Sequence, residues 1–178
     1  MKLATIKKIS VFLIFGLSFL THFIYDWFPN SLFSIFFPVN ESVWEHMKML
    51  YTTILLYGII EYFILKHFNI KVNNYMLSLF ISSIISIPVY LIIFLPFYYN
   101  GINNMLFFIV VMFITYIICE CISYKIMKVK EIKYQNLISI ILIIIAYIIF
   151  GYLTYKPLKN DLFLDTEDEK YGINEYII

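Results

Sequence analysis

The chain has 178 residues, of which 62% are hydrophobic and 14% charged, with a formal net charge of +1. A soluble domain is typically about 45–50% apolar and about 25% charged, and one core in a chain of this length cannot hide so much apolar side chain from water. The composition therefore excludes an ordinary soluble domain and a disordered chain, and it predicts an integral membrane protein. All 13 basic residues are lysine. Without arginine there is no bidentate guanidinium fork for phosphate, and so small a net charge offers no basic patch to a nucleic acid.

A helix needs about 20 apolar residues to cross a bilayer. Continuous runs of that kind predict five spans, at about 10–28, 47–65, 75–99, 102–127 and 137–155. The expected fold class is all-α: a bundle of five transmembrane helices over residues 1–156, followed by an acidic extracytoplasmic tail over 157–178. The first run follows Lys2, Lys7 and Lys8 as in a signal peptide. It continues past the length of such a segment and has no small-residue cleavage site, so it reads as a retained helix. Between the first two spans, Leu32 to Phe37 is too short to cross and is expected in the interface.

The second span carries a polar stripe. Ser42, His46, Thr53, Tyr57 and Glu61 fall within an arc of roughly 100°. Such a stripe is costly against lipid and should face the bundle interior. With Glu120 on the fourth span, Thr53, Tyr57 and Glu61 form a candidate ion path. The bland alternative leaves Glu61 and Glu120 near an interface, reaching towards water. In the third span, Pro88 predicts a kink and Pro96 an end, and Ser78, Ser82 and Ser86 recur every four residues as a packing face. The only cysteines, Cys119 and Cys121, lie too close together in an apolar run to act as a disulfide framework or a zinc site.

Lysines set the expected orientation. With the N-terminus inside, nine lysines fall on cytoplasmic segments and four on outer ones, so the positive-inside rule predicts a cytoplasmic N-terminus and an extracytoplasmic C-terminus in the cell membrane. Nine of the twelve acids then lie outside or at the outer helix ends, Glu175 among them. His22 and His46 join them there.

Pro38 to Lys48 reads P-V-N-E-S-V-W-E-H-M-K. Ser42 and Glu45 make an S-x-x-E capping box at a helix start, with Pro38 and Asn40 favouring a turn before it. Upstream stands H-x-x-Y, His22 to Tyr25. Downstream, Phe163 and Asp165 form F-x-D, followed by Tyr171 and Gly172. This pattern resembles an uncharacterised family of small multi-pass bacterial membrane proteins, with Pro38, Asn40, Glu41, Ser42, Trp44 and Lys48 as its signature. The resemblance implies a membrane protein and supplies no reaction.

The sharpest chemical reading gathers His22, Asp26, Glu45, His46 and Asp165 around a divalent metal such as zinc. Imidazole and carboxylate suit that ion, and an open coordination position activates water. Glu45 and His46 would be the catalytic pair of a hydrolase acting on a lipid or other small-molecule substrate beside the bilayer. The alternative from residue statistics is a cap at Glu45, solvated Asp26 and Glu41, and interfacial histidines. Two other function classes fit the same sequence. One is a small permease or proton-coupled channel using the second-span stripe, and the other is a non-catalytic membrane subunit docking through the outer loop. The acidic tail lacks apolar content of its own and is expected to be solvated, although Tyr171-Gly172-Ile173 could fold back over the mouth.

Overall fold

A computed structural model describes residues 1–101 and 104–173, and the backbone of 175–176. Ile102, expected to open the fourth span, and the side chain of Glu175 lie outside the described residues. Five helices are long and apolar enough to cross a membrane: α1 (Leu3–Trp27), α3 (Val43–His67), α4 (Tyr75–Tyr98), α5 (Met105–Lys128) and α6 (Gln135–Tyr155). The short α2 (Ser31–Phe36) sits between the first two, capped by the Asn30 carboxamide, which accepts from Leu32 and Phe33 N–H. Three two-residue strands follow α6: β1 (Leu164–Asp165), β2 (Lys170–Tyr171) and β3 (Glu175–Tyr176).

The helices α1, α3, α4 and α5 close into a ring in which each packs on the next; α6 adds to α4, and α2 lies on α6. The α3 helix is the most enclosed of the five. Ile14, Leu50, Ile54, Tyr57, Val111 and Tyr116 fill the centre of the ring. The outer faces are apolar as well. On α6, Ile138, Ile141, Ile145 and Ile148 are all exposed, an arrangement that only a lipid solvent tolerates.

Helix boundaries depart from simple hydropathy in two places. The first helix begins at Leu3, well before the apolar run, and Lys7 in its second turn is turned inwards and buried. The fourth continues through Pro88 and ends at Tyr98, two residues beyond Pro96; neighbouring helices can support a proline inside a span. The α4 serines act as packing residues: Ser78, Ser82, Ser83 and Ser86 are fully buried, and their hydroxyls donate to carbonyls on the preceding turn. Against this helix, α3 comes so close at Gly58 that a Cβ there would lie 2.6 Å from Leu79.

The tail is docked. Its antiparallel ladder pairs Leu164 with Tyr171 and Asp165 with Lys170. Phe163 stacks on Trp44 at 4.7 Å between ring centroids, Leu162 carbonyl accepts from Trp44 N–H at 2.8 Å, and Asn40 Nδ2 donates to Gly172 carbonyl at 2.8 Å. The acidic segment lacks a core and borrows one from the 38–48 loop. Gly172 is required where the tail turns: its φ is +56°, and a Cβ would press on the Thr154 carbonyl.

Candidate metal centre

The loop before α3 is built to start a helix. Ser42 is the N-cap, and its hydroxyl accepts from Glu45 N–H at 3.3 Å. The reciprocal half of the capping box is absent. Ser42 N–H donates to Asn40 Oδ1, and the Glu45 carboxylate accepts from Val39 N–H at 3.1 Å. Glu45 also pairs with Lys48 at 2.5 Å and accepts from Thr154 Oγ1 at 3.0 Å. Lys48 Nζ in turn donates to the Ser34 carbonyl and to Thr154. Both charges are fully buried. This node ties the loop, α2, α3 and α6 together.

One residue further on, His46 faces α1. Its Nδ1 lies 2.9 Å from the Ser42 carbonyl. A carbonyl only accepts, so Nδ1 carries hydrogen and Nε2 of the neutral ring presents a lone pair. His22 comes from the last turns of α1, where Thr21 Oγ1 bonds Thr53 Oγ1 at 2.7 Å and fixes the two helices against each other. The two Nε2 atoms are 3.3 Å apart. Glu41 Oε2 lies 3.6 Å from His22 Nε2 and 3.5 Å from His46 Nε2. Glu41 is aimed by its backbone: its N–H donates to Asp165 Oδ2 at 3.1 Å, while Asp165 Oδ1 accepts from Glu167 and Asp168 N–H.

These three distances have a simple meaning. Zinc–nitrogen and zinc–oxygen bonds of about 2.0–2.1 Å in a tetrahedron place neighbouring donors about 3.3–3.4 Å apart. The triangle of His22, His46 and Glu41 has nearly those edges, and it is the one such group among the described residues. Its side chains are partly open, at 23%, 27% and 44% exposure, so a fourth position can face solvent or substrate. The Ser42 carbonyl, accepting from His46 Nδ1, is the outer partner that orients a histidine ligand, whereas His22 Nδ1 is buried without a partner. The His22 ring beside Glu41, helped by His46, holds its carboxyl below the usual carboxylate range against the opposing effect of burial.

The sequence-derived set is thus divided. His22 and His46 meet. Asp26 is exposed and stands outside the group. Glu45 points to Lys48 instead, because its carboxylate is consumed by the α2–α6 side of the helix. Asp165 is buried and acts one shell out, on the Glu41 backbone. Glu41 itself was expected as a signature residue, not a ligand. Its neighbours Asn40 and Ser42 are both spent on the helix start, and that leaves Glu41 as the free acid of the turn.

Of the remaining stripe residues, Thr53, Tyr57 and Glu61 are all buried inside the ring, as is Glu120 on α5. Tyr57 OH bonds Ser10 Oγ at 2.6 Å.

Five helices long and apolar enough to cross a bilayer define a multi-pass helical membrane protein. The chain belongs to the family of unknown function DUF6512, whose family model covers residues 2–173. No curated protein and no solved structure matches it.

Proposed function

We propose that His22, Glu41 and His46 hold one divalent metal ion, best fitted by zinc, and that the protein is a metal-dependent membrane hydrolase acting on a lipid-like substrate. The observation that carries this reading is the 3.3–3.6 Å triangle of two imidazole nitrogens and a carboxylate oxygen. Three protein donors with an open fourth position are the pattern of catalytic rather than structural zinc. An ion held there supplies Lewis acidity and activates water near neutral pH.

The chain's own groups then have separate roles. His46 and His22 present lone pairs, Glu41 supplies the negative charge, and Asp165 holds the turn that aims Glu41. Glu45 is a positioning residue: with Lys48 it fixes the helix start that presents His46. Exposed Trp27, Phe28 and Leu32 flank the same end of the bundle, so a substrate with an acyl or isoprenoid tail can approach within the bilayer interface. The lysine bias supports an extracytoplasmic mouth. Setting aside Lys7 and Lys48, both buried in ion pairs, eight lysines remain on the opposite segments against three on this side.

Elemental analysis of detergent-purified protein after zinc-replete expression tests the site. The expected result is about one zinc per chain, lost in His46→Ala and Glu41→Ala and kept in Asp26→Asn. Negligible metal in the folded wild type would overturn the reading. Hydrolysis of a panel of lipid esters and lipid-linked amides, present with zinc and absent in His46→Ala, tests the reaction; unchanged turnover in that variant would contradict it.

A further inference from the structure

At the opposite end of the ring, three charged side chains from three helices meet in the interior. Lys7 Nζ of α1 lies 2.7 Å from Glu61 Oε1 of α3 and 3.2 Å from Glu120 Oε2 of α5. It also donates to Ser123 Oγ at 2.7 Å. All three charged groups are buried, none more than 5% exposed. Ionised throughout, they would carry two negative charges against one positive.

The other titratable groups facing them are Tyr57 on α3, Tyr75 on α4 and Cys119 on α5. These are neutral acids and bring no second cation; Lys8, the next residue of α1, is exposed. An unbalanced charge inside a bilayer is expensive, and a proton is the smallest group that removes it. The two carboxylates are not equivalent. Glu61 receives the short contacts from Lys7 and a longer one from Ser10 at 3.4 Å. Glu120 Oε2 is buried and lacks a hydrogen-bond partner, with Lys7 Nζ 3.2 Å away as its ion-pair neighbour.

We propose that Glu120 is an intramembrane proton-binding site, with Lys7 and Glu61 as the balanced ion pair beside it. The ammonium of Lys7 already occupies the position a bound alkali cation would take, so the ligand is a proton and not sodium. The site joins α1, α3 and α5, so uptake and release of that proton act on the packing of the ring. The proposal is independent of the metal centre at the other end.

Infrared difference spectroscopy of the full-length protein in nanodiscs, titrated with pH, reads the protonated-carboxyl C=O stretch directly. The wild type should show one protonated carboxyl at neutral pH that is lost on alkalinisation. Glu120→Gln should abolish that signal, and so should Glu61→Gln, because either change leaves one carboxylate balanced by Lys7. Lys7→Met, leaving two carboxylates without a cation, should raise the signal about twofold. Replacing sodium by choline should leave the wild-type titration unchanged. Absence of the signal in the folded wild type, its survival in Glu120→Gln, or a titration displaced by sodium would each overturn the proposal.

Discussion

Glu45 and His46 are neighbours in the first turn of α3, and their surroundings are opposite. Glu45 looks towards α2 and α6, where Lys48, Thr154 and Val39 N–H saturate its carboxylate. His46 looks towards α1, where its Nε2 and that of His22 face one another beside a carboxylate. Both regions combine charged and polar groups at the same depth. In the first, charge and hydrogen-bonding capacity are matched, so the group is architecture. In the second, with His46 Nδ1 already bonded to a carbonyl, the His22 ring hydrogen is shared between a second imidazole nitrogen and a carboxylate, and a cation is a partner that satisfies all three groups at once. Matching of donors and acceptors separates the two more sharply than residue type does.

The largest effect should come from breaking the matched side. Glu45→Ala leaves the Lys48 ammonium buried without its partner and should cost about 3–5 kcal/mol, seen as a large drop in melting temperature or folded yield in detergent. The double change Glu45→Met with Lys48→Met should be far milder, since it removes both charges together. On the open side, His46→Ala should weaken zinc binding by more than about 100-fold, beyond the loss of an orienting partner, while metal-free stability changes little. Asp165→Asn should lower zinc affinity by about 10–100-fold, through the Glu41 backbone alone. Competition titration with a chelator measures both. An Asp165→Asn effect as large as that of His46→Ala would make Asp165 a ligand and blur the distinction between the shells.

The smallest effect concerns pH. The Glu41 carboxyl is held below the usual carboxylate range. A depressed carboxyl contributes stability that is present above its unfolded value and lost as pH falls through the lower folded value. Imidazoles ordinarily take protons near pH 6.5. Acid should therefore displace zinc through the histidines before Glu41 takes a proton, with no more than about two protons per metal taken up down to about pH 5. A third proton taken up in that window would mean that the Glu41 carboxyl is raised above the ordinary carboxylate range, and would contradict its depression.

Much of the architecture is local and therefore legible in the sequence. The five apolar runs mark the five spanning helices, and Ser42 marks the start of α3. Even there, length alone misplaced the beginning of α1, because Lys7 is only recognisable as an interior residue once Glu61 and Glu120, on other helices, are brought to it. The candidate centre depends on long-range contacts to a greater degree. Helical periodicity puts Glu45 and His46 on different faces without saying which face meets α1. That is decided by Ser34 and Thr154, which hold Lys48 and so fix Glu45 on the far side. Glu41 belongs to an irregular turn whose direction is set by Asp165, 124 residues later. The acidic tail looked solvated because its composition gives it no core. Phe163 on Trp44 shows that a segment can be ordered by apolar surface it does not itself contain.

X-ray absorption at the zinc edge on the purified, zinc-loaded protein tests the central claim most directly. The account predicts a first shell of two imidazole nitrogens at about 2.0–2.1 Å and carboxylate or water oxygen at about 2.0–2.2 Å, with the imidazole scattering reduced in His22→Ala and the spectrum unchanged in Glu45→Gln variants that remain folded. A shell dominated by sulfur, a shell without imidazole, or a spectrum altered by Glu45→Gln as by His22→Ala would contradict it.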